Sequence, residues 1–316
     1  MRTIAPNYFH SFACLMGGCR QSCCVGWEID VDEDALNRYR AVTGPLGTRL
    51  AENIRTDGES PCFRLTADER CPFLNASGLC ELILELGEDS LCQICADHPR
   101  FRNVFSDRTE LGLGLCCEAA GRLILTRRTP VRLIALADDG IRGALLAEER
   151  WLLGLRGQLF AIVQNRGLPL ERRVQQMLAA ANISMPDTSA RLWADFLLGL
   201  ERMDEAWTER LQALANVPVC SEVFLHTPEW ENAFEQLLVY LLYRHLPGAL
   251  NDGDIGGRIQ YAALIWRLTA QLCAVHAAQH SQISLDDLIE IARLYSSEIE
   301  YSDENLDAIL NRLQEI

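Results

Sequence analysis

The run Cys14-Leu15-Met16-Gly17-Gly18-Cys19-Arg20-Gln21-Ser22-Cys23-Cys24 sets four thiols within eleven residues, among small and polar side chains. Thiolates this close repel one another unless a cation neutralises them, and a metal does so while its binding energy becomes folding energy. Such a segment has too little apolar material to fold around a core of its own and needs a staple. Further thiols follow at Cys62, Cys71, Cys80, Cys92, Cys95, Cys116 and Cys117. Eleven of the thirteen cysteines lie between Cys14 and Cys117, and Cys220 and Cys273 lie beyond, where they read as small core hydrophobes.

The redox compartment decides what these thiols do. The apolar run Leu237 to Tyr243 is far shorter than the ~20 residues a bilayer requires. The first residues are interrupted at Pro6, Asn7 and His10, so no signal-peptide core is expected. A cytoplasmic protein follows, and there disulfides are rare, which leaves metal ligation. Zinc and a 4Fe-4S cluster both accept four thiolates. The adjacent pair Cys23-Cys24 suits a bulkier cluster better than one tetrahedral ion, and eleven thiols imply either two centres or thiols to spare.

A formal net charge of −15 argues against a nucleic-acid partner, whose recognition rests on basic neutralisation of phosphates. Fourteen arginines face eighteen acids up to Pro130, and fifteen face twenty-six beyond it, so the later part is the more acidic. All 29 basic residues are arginine.

Composition divides the chain near Pro130. Residues 1–130 are punctuated by cysteine, glycine and proline and form a cysteine-rich metal module with a little β structure: a short strand over Trp27–Val31, then a helix from Asp32 to Tyr39. Residues 131–316 show apolar spacing of helical period and form an α-helical bundle, giving a mainly α fold overall. Asp187 or Thr188 is expected to cap one helix carrying the stripe Leu192, Phe196, Leu200, Met203, Trp207, Leu211 and Leu214. Further helices are predicted over Glu229–His245 and Arg258–His280, after a capping box at Ser284 and Asp287, and from about Asp303.

Several motifs in the first 125 residues resemble the flagellin lysine-N-methylase family. They are C-x4-C-x3-C-C-x-G-W from Cys14 to Trp27, C-P-F-L and G-L-C between Cys71 and Cys80, C-A-D-H-P-R from Cys95 to Arg100, and C-E-A-A from Cys117 to Ala120. The run is also similar to a wider group of zinc- or iron-chelating domains with a clustered CC motif. The rest of the chain resembles the family in helical character alone. The resemblance implies methyl transfer from S-adenosylmethionine to lysines of flagellin, with a 4Fe-4S cluster, or zinc as the alternative metal. By motif, the matching ligands are Cys14, Cys19, Cys23, Cys24, Cys71, Cys80, Cys95 and Cys117. Cys117-Glu118 departs from the family's C-P-E, and Cys116 is an extra thiol.

The amine of lysine attacks a sulfonium methyl only when neutral, and its ordinary pKa is about 10.4, so a site must take up a proton. Glu28, Asp97, His98 and Glu118 are the candidate acceptors near the motifs. Trp27 and Arg100 are candidates for holding the donor, Trp27 through its ring against a cation. The cysteine spacing lacks the C-x3-C-x2-C of radical enzymes, which favours polar transfer. No G-x-G-x-x-G loop is present to bind the donor in a doubly wound domain. His276 and His280 share a helix face without the metalloprotease pattern and read as a packed pair. A non-catalytic chelating or electron-transfer protein is the alternative reading, and a metal-stapled scaffold for partners is a third. Nothing in the residues sets the oligomeric state.

Overall fold

The computed structural model describes residues 1–58, 60–140, 143–217 and 226–315, which leaves Cys220 outside the described residues. The chain divides into two compact units, one of Ala13–Arg100 and one joining Met1–Phe12 to Phe101–Ile316. This division and the compositional one near Pro130 follow different physics. Composition tracks where cysteine, glycine and proline thin out, whereas packing tracks strand pairing between the first residues and those after Phe101. Helix accounts for 58% of the structure, which bears out a mainly α fold.

Strand β1 (Arg2–Pro6) precedes the small unit. There, α1 (Glu33–Arg40) begins as its sequence requires: the Asp32 carboxylate accepts the Ala35 N–H at 2.9 Å, satisfying an orphan donor of the first turn. Its other oxygen accepts the Gln93 N–H at 2.6 Å, tying α1 to the start of a later helix. Helix α2 (Gly44–Asn53) leads into the two-residue strands β2 (Ile54–Arg55) and β3 (Cys62–Phe63), which pair antiparallel. Two short helices, α3 (Glu81–Leu86) and α4 (Gln93–Asp97), follow. The strand expected over Trp27–Val31 is reduced to one bridge between Asp30 and Cys62. Its alternation still holds, with Ile29 and Val31 buried and Glu28 and Asp30 exposed. These two join Leu36, Tyr39, Leu50, Phe63, Phe73 and Leu82 in a small core that also takes in Cys71 and Cys92.

In the large unit, β4 (Arg100–Val104), β5 (Arg108–Leu113) and β6 (Leu133–Asp138) complete a sheet of order β4-β5-β1-β6. Strand β1 runs parallel to β5, with Arg2 opposite Arg108, and antiparallel to β6. Strand β6 corrects the expectation that β structure ends at Pro130. Its apolar run Leu133-Ile134-Ala135-Leu136-Ala137 is too short for its period to tell strand from helix.

The helices of this unit are α5 (Glu118–Leu125), α6 (Ala147–Val163), α7 (Leu170–Ala180), α8 (Ala190–Leu197), α9 (Glu205–Asn216), α10 (Pro228–His245), α11 (Ala249–Asp252), α12 (Ile255–His280), α13 (Leu285–Tyr295) and α14 (Asp303–Glu315). Helices α10 and α12 are buried on nearly every side over their central turns, as helices apolar all round must be. Cys273 is fully buried in α12, as expected of a core residue. The capping box forms as predicted, Ser284 and Asp287 each accepting the other's backbone N–H at the start of α13.

One expected helix is two. Its stripe is shared by α8 and α9, Ser189 stands at the first N-cap, and Met203 is exposed between them. Asp187 instead accepts the Ser189 N–H at 2.8 Å. The break is fixed from outside the segment, because Glu298 accepts the N–H groups of Met203 and Asp204 at 3.0 and 2.7 Å. Asp204 then caps α9 by accepting from Ala206.

Candidate functional site

In the small unit, the thiols of Cys24, Cys71, Cys80, Cys92 and Cys95 lie within electrostatic reach of one another. Local structure brings them there. Cys71 and Cys24 are joined by the Cys71 N–H donating to the Cys24 carbonyl at 2.8 Å, beside the bridge between Val25 and Arg70. The C-P-F-L and G-L-C motifs form the two arms of a tight turn, bridged between Leu74 and Cys80, whose tip Asn75 holds by accepting the N–H groups of Ser77 and Leu79 at 2.9 and 3.0 Å. Gly78 turns the tip at φ +72°, where a Cβ would stand 3.2 Å from Gly17 Cα. Both positions require glycine, and their contact seats the Cys14–Cys19 turn against the one that delivers Cys80.

Cys80 and Cys92 are the N-cap residues of α3 and α4. Backbone N–H groups at such positions favour a thiolate. Within the pair Cys92-x2-Cys95, the Cys92 thiol is held below its ordinary pKa by the hydrogen bond from Cys95, and the Cys95 thiol is raised by the same bond and by burial. A hydrogen bond from Cys23 brings Cys24 down to about 7, with Ser22 and Arg70 assisting against burial. Burial pushes Cys71 up to about 12, and the nearby thiols add to it. Mutual repulsion among buried thiols is the electrostatic condition that a bound cation would relieve.

Among the described residues, no three Cys, His, Asp or Glu side chains stand as a group arranged to hold a single ion. The donor set fits a thiolate-ligated centre in kind, because five thiols lie within electrostatic reach of one another, two of them at the starts of short helices. Cys14 and Cys23 are exposed and Cys19 is half-buried. The Cys14 sulfur accepts the Met16 N–H at 3.2 Å. Cys117 belongs to the large unit, as the N-cap of α5. Of the five, Cys92 is the one that the family motifs omit, although C-x2-C at a helix start was visible in the sequence.

The other candidate residues are dispersed. Glu28 accepts from Arg55 at 2.9 Å, and Asp97 accepts from Gln93 at 2.6 Å. Trp27 donates its indole N–H to the Cys23 carbonyl at 2.7 Å and lies 6.3 Å from the His98 ring. Burial, with Arg100 nearby, brings the His98 pKa down to about 4, so its ring is neutral near pH 7. Arg100 donates to the Ala96 carbonyl at 3.2 Å. Glu118 is buried in the first turn of α5, 3.9 Å from Arg122. His276 and His280 stack at 4.2 Å, with His276 3.4 Å from Asp287, the capping-box residue.

Sequence reasoning missed a buried polar cluster in the large unit. After α13 the chain continues as a π-helical turn over Ser296–Glu300, a geometry that recurs at functional sites. Glu300, fully buried, accepts from the Tyr240 hydroxyl at 2.6 Å and meets His245 Nε2 at 2.5 Å. Arg244 lies 3.7 Å from that carboxylate and donates to the Glu300 carbonyl and the Tyr240 hydroxyl, each at 3.0 Å. Its guanidinium stands over the rings of Phe101 and Tyr301, at 5.0 and 4.7 Å. Burial alone would raise the Glu300 carboxyl, but Arg244 and His245 outweigh it and hold it at about 2. Gly114 leaves this cluster its room, since a Cβ there would lie 2.5 Å from the Tyr301 hydroxyl and 3.3 Å from the Cys116 sulfur.

The π turn, Tyr240, Arg244 and Glu300 all fall within residues 185–316, which match the family model of the FliB lysine N-methylase C-terminal domain. Over those residues the chain is similar to the lysine N-methylase family. The match also corrects the view that the helical part shares the family's character alone, since the matched residues are helical ones. Among curated relatives, the chain is 25% identical over 126 residues to a Lysine-N-methylase of Salmonella typhimurium, covering 38% of this chain and 31% of that protein. It is 26% identical over 126 residues to the Flagellar biosynthetic protein FliU of Salmonella muenchen, covering 75% of that protein. The match thus spans about a third of the length of the curated methylase. No solved structure matches the chain. Among the described residues no helix is long and apolar enough to cross a membrane.

Proposed function

We propose that the chain is a protein-lysine N-methyltransferase that takes its methyl group from S-adenosylmethionine and delivers it to lysines of flagellin. The match of residues 185–316 to the lysine N-methylase domain carries this reading. The names of the relatives support both the lysine chemistry and a flagellar acceptor.

A 4Fe-4S cluster, with zinc as the alternative, would be held by four of Cys24, Cys71, Cys80, Cys92 and Cys95, the thiols that converge. Bound there, it would neutralise their charge and staple a unit whose apolar core is small. The lysine ammonium has to lose its proton before it attacks, and desolvation favours that loss. His98, neutral near pH 7, and the carboxylates Glu28, Asp97 and Glu118 are the proposed proton acceptors. Trp27 would present its ring to a cation, and Arg100 would pair with a carboxylate. The methyl then passes in line from sulfur to nitrogen, a step that depends chiefly on positioning.

The test is incubation of anaerobically purified protein with isotope-labelled S-adenosylmethionine and flagellin, followed by mass spectrometry of the flagellin peptides. Label on lysine is expected. Metal-loaded protein that leaves every lysine unlabelled would sink the reading. It would favour the non-catalytic alternative, a zinc- or iron-chelating or electron-transfer protein, which the convergent thiols by themselves would serve.

A further inference from the structure

Helix α1 is pinned to the segment that opens α4 at both of its ends. At the first turn the Asp32 carboxylate holds the Gln93 N–H at 2.6 Å, and in the last turn Arg38 donates to the Leu91 carbonyl at 3.0 Å. Between them the buried face of α1, made of Ala35, Leu36 and Tyr39 at helical spacing, is turned toward the small core that contains Cys92. Tyr39 is only 2% exposed. Its ring lies 6.0 Å from that of Phe63, which meets Phe73 edge-on at 5.1 Å, so the phenol has little room to swing. No cysteine motif in the sequence includes this residue.

The Tyr39 hydroxyl is buried and makes no hydrogen bond among the described residues. A tyrosine in a core normally finds a partner for its O–H, and one that does not keeps the full cost of leaving water. Other buried tyrosines of this chain follow the rule: Tyr243 donates to the Leu111 carbonyl at 2.9 Å and Tyr240 to Glu300 at 2.6 Å. Around the Tyr39 oxygen stand the Cys92 N–H, short of hydrogen-bond geometry, and the thiols of Cys92 and Cys95. The N–H is itself a donor and offers nothing to the phenol's proton. That proton stays in place at neutral pH, since a phenol ionises only at about pH 10. The sulfurs are the acceptors at hand.

Metal binding changes what those sulfurs require. In the metal-free arrangement the Cys95 S–H donates to the Cys92 sulfur. Ligation releases thiol protons to solvent, so Cys92 loses that donor just as it becomes a full thiolate, a stronger acceptor. We infer, resting on the thiolate-ligated centre proposed above, that the Tyr39 hydroxyl then donates to the Cys92 sulfur and makes Tyr39 a positioning residue of the metal centre. It fixes the direction of the thiolate and offsets part of its charge, as hydrogen-bonding neighbours of metal ligands do. The same hydroxyl is a cost to the metal-free chain and a contact in the loaded one.

Tyr39→Phe removes the hydroxyl and keeps the ring. The full chain, purified anaerobically, is compared with this variant in two forms: metal-loaded, by the rate of metal release to excess chelator followed by elemental analysis, and stripped of metal, by urea unfolding. Release from the variant should be faster by about tenfold or more, the usual penalty for losing a neighbour that orients a metal ligand. The stripped variant should unfold at the same urea concentration as stripped wild type, or a slightly higher one. Leu46→Ala, in the same small core, should weaken both forms together and so marks what lost packing alone does. Equal metal release from Tyr39→Phe and wild type would overturn this role for Tyr39 and leave the metal centre standing. So would a stripped variant weakened as Leu46→Ala is, or one that fails to fold, because the hydroxyl would then already serve the metal-free chain. A wild-type chain that carries no metal would overturn the role and the centre alike.

Discussion

Replacing Glu300 by glutamine tests the buried polar cluster directly. The Glu300 carboxyl drops from an ordinary 4.5 to about 2 in the folded protein. At about 1.4 kcal/mol per pKa unit this is worth about 3 kcal/mol of stability, present above pH 4.5 and lost as pH falls toward 2. Removing one partner of a buried ion pair carries a similar penalty, roughly 3–5 kcal/mol, because Arg244 would stay buried without its counter-charge. At pH 8 histidine is neutral in folded and unfolded chains alike, so Glu300→Gln should cost about 3 kcal/mol in urea unfolding followed by far-UV circular dichroism. The acid side carries a second sign. Burial holds His245 below its ordinary pKa, against the upward pull of Glu300. A histidine with a lowered folded-state pKa loses stability as pH drops below its unfolded value near 6.5. Without Glu300 that pKa falls further, so the gap between variant and wild type should widen between pH 6.5 and 5. A gap under about 1 kcal/mol at pH 8, or one that closes on acidification, would refute the account of the cluster.

Other predictions follow from the same structure. Cys71→Ser, Cys92→Ser and Cys95→Ser should each lower the metal content of anaerobically purified protein measured by elemental analysis, whereas Cys273→Ser, within α12, should leave it unchanged. Gly78→Ala combines a positive φ with a Cβ close to Gly17, so it should cost at least 1–2 kcal/mol by thermal unfolding of the small unit and loosen its hold on metal. Asp32→Ala deprives both Ala35 and Gln93 of an acceptor and should destabilise by about 1–2 kcal/mol in denaturant unfolding, with faster amide exchange at the starts of α1 and α4. Leu237→Ala, at a fully buried position of α10, should cost about 2–5 kcal/mol, and no change in unfolding would contradict its place in the core.

What was legible in the sequence was local. The starts of α10, α13 and α14 and the ends of α10 and α12 follow from helical periodicity and from caps such as Ser284 and Asp287, interactions spanning only a few residues. The break between α8 and α9 was not legible, because it depends on Glu298, far along the chain. Nor was the sheet, whose β1 and β5 pair across the whole of the small unit. At the candidate site, the clustering of thiols announced a thiolate-rich unit, but motif resemblance passed over Cys92, which packing brings beside Cys95. The Glu300 cluster lay beyond sequence reading for the same reason as the sheet. Phe101, Cys116, Tyr240 and Glu300 come from separate stretches, and only tertiary packing makes their chemistry one environment.

The pairing of β1 with β5 and β6 also orders the birth of the molecule. As the chain leaves the ribosome, β1 emerges before the Ala13–Arg100 unit yet has no partner until residues 108–110 are made, by which point everything needed for that unit has already appeared. Domains tend to fold as they are synthesised. The thiol-rich unit is therefore free to close while the strand before it is still waiting to enter its sheet.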